Sequence, residues 1–411
     1  MSGLLSILFA GRAQRRPKEA RGPLGGRSAV LGAGGAVMIA GALLAGCADD
    51  VAKPTALEPL EAKISGHQVW KLSLGGAGFS AFGLVKGSAA FGAQGVAVAG
   101  TNFIIGAANG ALVSVDADTG KENWRADAGG RLTTGVGSDG RFTSVVTRDG
   151  DLVTLDGGKI IWRQHLDSAV VTAPFVAGER VFVLGVDRAV TAFDAVDGKK
   201  LWVYAKAGDA LTLSQAGVLT AYQDTLLFGL GARLTALDPL KGTVRWEVPV
   251  AAPRGTNEVE RLADLVGPAA RVGSVYCIRA FQNGIGCVDA ERVTALWSIN
   301  VGGAQSLGAD EDYVFAGDAS DRLSARRRAN GESAWLSDKF QNRKLSGMLA
   351  IGKVVVFGDY EGYVHFLDRT TGTPLLRLST DGSPIVGAPV RAGNTLAVTT
   401  RDGSVYAFRP E

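Results

Sequence analysis

A unit ending on tryptophan returns along this chain at Trp124, Trp162, Trp202, Trp246, Trp297 and Trp335, and with Trp70 these are all seven tryptophans of the protein. The spacings are 38, 40, 44, 51 and 38 residues, with a further 41 to Leu376, which stands where the next tryptophan would fall. The first complete unit, 103–124, is an apolar run, the Asn109-Gly110 turn, an alternating run closed by Asp116, a Thr119-Gly120 turn and Trp124. Asn-Gly accepts the positive φ of a tight hairpin and its flanks alternate with period two, so the unit is a set of antiparallel strands. Four such strands with their loops, about 40 to 50 residues, make one propeller blade.

Two smaller residues keep step with the tryptophan. Gly120, Gly158, Gly198, Gly242, Gly331 and Gly372 lie four residues before the marker, and Val293 breaks the rule before Trp297. Asp116, Asp156, Asp194, Asp238, Asp289 and Asp368 close the third strand of their units. An aspartate there accepts backbone N–H groups and starts the turn that ends in glycine, so these carboxylates are expected to be turn residues, one per blade, and not a metal set. The tryptophan is expected to wedge between neighbouring blades, because its ring buries a large area and needs one hydrogen-bond partner.

The two ends complete each other. Residues 389–408 supply three strands and stop before any tryptophan segment, while His67-Gln-Val-Trp70-Lys-Leu supplies a tryptophan segment with no strands before it. Joining them in one blade closes the ring and removes exposed edges. The expected fold is therefore all-β, an eight-bladed propeller over residues 66–411 whose last blade is closed by the N-terminal strand.

Ahead of it lies an export signal. A basic run with Arg12, Arg15, Arg16, Lys18, Arg21 and Arg27 precedes a small, apolar stretch at 28–45 that ends in Leu44-Ala45-Gly46-Cys47. Basic, apolar and small-residue regions in that order describe a cleaved signal over 1–46, and the tetrad fits the lipobox of bacterial lipoproteins, in which the cysteine becomes the lipidated N-terminus. Ala48 after Cys47, in place of aspartate, favours the outer membrane by the enterobacterial sorting rule. Residues 47–65, with Pro54 and Pro59 and no alternation, are expected to be a flexible tether, its 18 residues after Cys47 spanning on the order of 25 Å.

Composition excludes more than it selects. The formal charge is +3 and much of it sits in the signal, so the folded part has no basic surplus for nucleic acid. His67, His165 and His365 fall at unrelated repeat positions, and neither a nucleophile motif nor a phosphate loop is present, so no catalytic, cofactor or metal site is expected. His365 lies in an alternating strand, where a core role is expected, and Arg326-Arg327-Arg328 reads as a solvated face. Besides Cys47 there are two cysteines, Cys277 and Cys287, flanking a turn near 282–284. A hairpin there sets the thiols roughly opposite each other, where an exported protein can join them in a cross-strand disulfide, whereas a one-residue slip of register would send them to opposite faces.

With its alternating strands, Asp-x-x-x-Gly turns and tryptophans, the repeat resembles the pyrroloquinoline-quinone-like propeller repeat. The chain as a whole is similar to the propeller lipoproteins of the outer-membrane β-barrel assembly machine, on Glu258-Val-Glu-Arg261-Leu-Ala-Asp264, on 358–368 and on 401–408. The resemblance implies a non-enzymatic scaffold without cofactors, lipid-anchored on the periplasmic face of the outer membrane. It implies binding to BamA POTRA domains and other subunits of the machine, and assistance to unfolded outer-membrane proteins. It also assigns partner contacts to Leu211, Leu213 and Ser214 and to Glu260, Arg261 and Asp264, with departures at Ser214, where arginine is typical, and Val266, where an acidic residue is usual. Two other classes use such blades. Quinoprotein dehydrogenases are longer and many carry adjacent cysteines, unlike Cys277 and Cys287; sensor or carbohydrate-binding propellers gather polar and aromatic residues at the channel mouth.

Overall fold

A computed structural model describes residues 52–74, 95–206, 213–253 and 262–410. Among these, every regular element is a strand, and the 32 strands form eight four-stranded antiparallel sheets. Blades 1 to 7 span 96–127, 137–165, 175–204, 219–249, 265–299, 308–337 and 349–379. Blade 8 takes its three inner strands from 385–410 and its outermost strand from Gly66–Ser73, which pairs with Ser404–Pro410 in the register Gly66 to Pro410 and Ser73 to Ser404.

The core is divided among the seams. Eight apolar clusters form, each drawn from two consecutive blades, and a tryptophan packs in seven of them. The indole N–H groups of Trp70, Trp162, Trp202, Trp297 and Trp335 each donate to a backbone carbonyl in the next blade at 2.7–3.1 Å. The periodic glycines take their meaning from the same contact. At φ between 69° and 86°, each lies flat under the tryptophan of the preceding blade, and a Cβ on any of the six would stand 2.5–2.8 Å from that ring. The carboxylates of Asp116, Asp194, Asp238, Asp289 and Asp368 accept backbone N–H groups in the same turns, while Asp156 meets Arg141 instead.

The sequence pattern gives no sign of one regular device. In all eight blades the outermost pairing carries a bulge at the residue before the marker, as at Asn123 between the pairs Ser114–Trp124 and Val115–Glu122. A bulge twists the edge strand and spoils it as a template for another chain.

Val293 stands at φ +55° where six blades have glycine. A β-branched residue in the left-handed region is strained by about 1–2 kcal/mol. Val293→Gly is therefore expected to raise stability by about 1 kcal/mol, read as a higher denaturant midpoint; an unchanged or lower midpoint would show that the strain is absorbed elsewhere.

The expected free tether is not free where it is described. Within 52–65, Thr55 N–H donates to Gln341 O, Lys63 N–H to Leu375 O, Asn342 Nδ2 to Lys53 O, and Leu57 packs on the apolar cluster between blades 6 and 7. The reason is chemical: Leu57 and Thr55 meet partners on the propeller that a scan for alternation cannot register. The signal segment and Cys47 lie outside the described residues.

Candidate partner-binding face

Each blade hands the chain from its outermost strand to the innermost strand of the next, and these connections share a face with the turns between second and third strands. The two connections singled out by the resemblance, 205–218 and 250–264, are consecutive on that face. Leu211, Glu260 and Arg261 lie outside the described residues. Leu213 and Asp264 are described and meet: the Asp264 carboxylate accepts the Leu213 N–H at 2.9 Å through one oxygen and Arg188 Nη2 at 3.0 Å through the other. Both ionic side chains are largely buried. Asp264 therefore ties the two connections together, and its carboxylate is not free for a partner. Ser214 next to Leu213 is exposed, and Val266 is buried in an innermost strand.

Arg188 escapes the sequence reading, yet a signal marks it. It occupies the turn between the second and third strands of blade 3 at φ +65°, where blades 1, 2, 7 and 8 have Gly110, Gly150, Gly362 and Gly403. A non-glycine residue at such a φ is held there by its surroundings, here by the ion pair with Asp264. Blade 6 repeats the device with Asp321 at φ +62°, whose carboxylate accepts the N–H groups of Lys344 and Leu345 at 2.7 and 3.2 Å and so fixes the next connection. Burial pushes the Asp321 carboxyl above its ordinary range.

Blade 7 holds a denser polar cluster. Asp359, fully buried, accepts Arg343 Nε and Nη2 at 3.0 and 2.8 Å and His365 Nε2 at 2.9 Å on one oxygen, and the N–H groups of Glu361 and Tyr363 at 3.0 Å on the other. Arg343 also reaches the Glu361 carboxylate and donates to Thr55 O at 2.9 Å. Burial alone would raise the Asp359 carboxyl, but the hydrogen bonds from His365 and Arg343 outweigh it and hold the group below its ordinary range. Burial lowers the His365 imidazole despite that carboxylate, so the neutral ring donates through Nε2. An Asp–His pair suggests acid–base chemistry, but this ring is sealed against Phe340 and Phe357, with centroids at 4.8 and 5.4 Å, and reaches no substrate. Its place in the core is the one the alternating strand implies.

Blade 5 holds the cysteines and a buried arginine. Cys277 and Cys287 are register partners on adjacent strands, and their sulfurs are joined. Arg279 on the first of these strands is buried and donates to the carbonyls of Val301, Gly302, Gln305 and Gly317 at 2.6–3.2 Å, and burial lowers its pKa to about 10. Among the described residues no group of three or more His, Cys, Asp or Glu is placed to hold a metal ion.

Fold and face together define an eight-bladed propeller whose connections at blades 3 to 5 and 6 to 7 are tied down by the carboxylates of Asp264 and Asp321. The profile of the family described as outer membrane protein assembly factor BamB matches residues 57–134 and 108–337. The outer membrane protein assembly factor BamB of Burkholderia pseudomallei is 37% identical over 360 residues, 87% of this chain and 91% of that one. The crystal structure of BamB from Moraxella catarrhalis superposes with a TM-score of 0.72 at 22% identity, covering 84% of this chain and 100% of that one. Quinohemoprotein alcohol dehydrogenase from Comamonas testosteroni superposes at 0.63 with 16% identity, over 84% of this chain and 76% of that one, a likeness of fold alone. The chain belongs to the BamB family of outer membrane protein assembly factors.

Proposed function

We propose that this protein is a non-enzymatic scaffold subunit of the outer-membrane β-barrel assembly machine, which binds BamA POTRA domains through the face bearing Leu211, Leu213, Ser214, Glu260 and Arg261. Family membership supports the assembly role. The observation that carries the site is the Asp264 carboxylate, which draws Leu213 and the 250–264 connection into one patch. Asp264 holds the described ends of the two connections together, which lowers the ordering cost of a contact made there. In this reading Asp264 is a positioning residue, and the leucines with Glu260 and Arg261 make the contact.

A lipid on Cys47 anchors the protein to the membrane. In this reading the protein works on the periplasmic face of the outer membrane, where unfolded barrel proteins also arrive.

The test is a pull-down from detergent extracts with tagged protein. Leu211→Asp with Leu213→Asp is expected to lower captured BamA more than about tenfold, since central apolar anchors dominate such contacts, with circular dichroism unchanged. Absence of BamA with the intact chain would sink the scaffold reading; full capture by the folded double variant would sink the site.

A further inference from the structure

Seven seams between blades are filled by an indole; the seam between blades 7 and 8 is not. Leu376 stands at the marker position there, register partner of Phe366 as each tryptophan is of its own strand neighbour. The partner of the wedge is missing too. Blade 8 has no glycine turn between its third and fourth strands, because Ser404–Pro410 and Gly66–Ser73 are far apart in the chain, and Gly66 lies over Leu376 instead. What is left is a cavity of about 370 Å³. Phe366, Leu376, Leu396 and Phe408 give it an apolar floor, and Lys353, Arg391 and Arg409 stand at its rim. No carboxylate is among the described residues that line it.

We propose that this cavity binds a single-chain anionic amphiphile, with its acyl chain in the seam where other seams hold an indole and its carboxylate or phosphate head against Lys353, Arg391 and Arg409. The volume is that of a small-molecule site. Lys353 and Arg391 are exposed, Arg391 with its Nε donating to Gly393 O at 2.6 Å. Arg409 is partly engaged, its Nη2 donating to Asp118 and to Thr395, but its buried Nε has no acceptor among the described residues. A peptide fits poorly, because the strands that carry Phe366, Leu396 and Phe408 are paired on both sides, Leu375 O at the outer edge already takes the Lys63 N–H, and peptide amides inside the cavity would go unpaired. An acyl chain brings no such groups.

The experiment is calorimetric titration of the full chain carrying Cys47→Ser, so that neither an attached acyl group nor detergent competes, with dodecanoate, dodecyl phosphate and dodecyltrimethylammonium below their micelle concentrations. One equivalent of each anion is expected to bind, and the cation about tenfold more weakly. The tighter of the two anions distinguishes a free fatty acid from a phospholipid-type head. Leu376→Trp should abolish binding and raise the melting temperature by filling the seam. Lys353→Glu with Arg391→Glu, both on the surface, should weaken binding about tenfold at unchanged melting temperature, and this pair decides the matter if the tryptophan variant does not fold. No binding by either anion, equal binding of the cation, or full binding by folded Leu376→Trp would overturn the proposal.

Discussion

Asp359→Ala is expected to cost about 3–5 kcal/mol of folding stability, because it removes one partner of a buried ion pair and leaves the Arg343 guanidinium with its charge mostly uncompensated in the core. Glu361 is the control. It meets the same guanidinium from a side chain that is 44% exposed, so Glu361→Ala should cost less than about 1 kcal/mol. The comparison is made from urea midpoints at neutral pH. Arg343 also holds Thr55 O, so Asp359→Ala should speed proteolysis within 52–65, and Glu361→Ala should not. Equal losses in the two variants would mean that burial at Asp359 does not govern the pair.

Deleting Gly66–Ser73 is expected to have a larger effect, more than about 5 kcal/mol. Loss of the Trp70 wedge alone is worth about 3–5 kcal/mol by analogy with other large-to-small core changes, and the strand also completes the hydrogen bonding of Ser404–Pro410. Without it Ser404–Pro410 becomes the outer edge of its blade and lacks the bulge that protects the outermost strands of the other blades, and such edges pair between molecules. Gel filtration should show the truncated chain as aggregate, and addition of a synthetic peptide of residues 66–73 should restore part of the monomer. A truncated chain that stays monomeric with an unchanged melting temperature would refute this account of closure.

How far the sequence spoke for the structure differs by element. Seven tryptophans and their glycines made the blade count legible, because one wedge per seam forces a large ring and a residue without Cβ to recur together. The bulge before each marker was not legible: its residue is asparagine, valine, isoleucine, leucine, arginine or alanine, since backbone hydrogen bonding and not side-chain type creates it. The docked course of 52–65 was missed for a related reason, as its partners in blades 6 and 7 are some 280 residues away and no periodic pattern marks them. At the candidate site, resemblance brought Leu213 and Asp264 to notice, and the structure alone joins them. Arg188 was readable in principle, as the arginine standing in a turn where sister blades have glycine. The same comparison of repeats singles out Val293 and Leu376, two places where a blade lacks what its sisters have.

The seam at Gly66–Ser73 also sets a clock. Ser73 and its partner Ser404 are 331 residues apart, so the first strand must wait for the rest of the propeller before the strand it joins is available. Blades 1 to 7 are each built from local hairpins, while the eighth is closed by the longest-range strand pairing among the described residues, whose loop-closure cost puts it last. During that interval the ring is a curved array with two unmatched ends, and any factor that handles the nascent protein meets it in that open form.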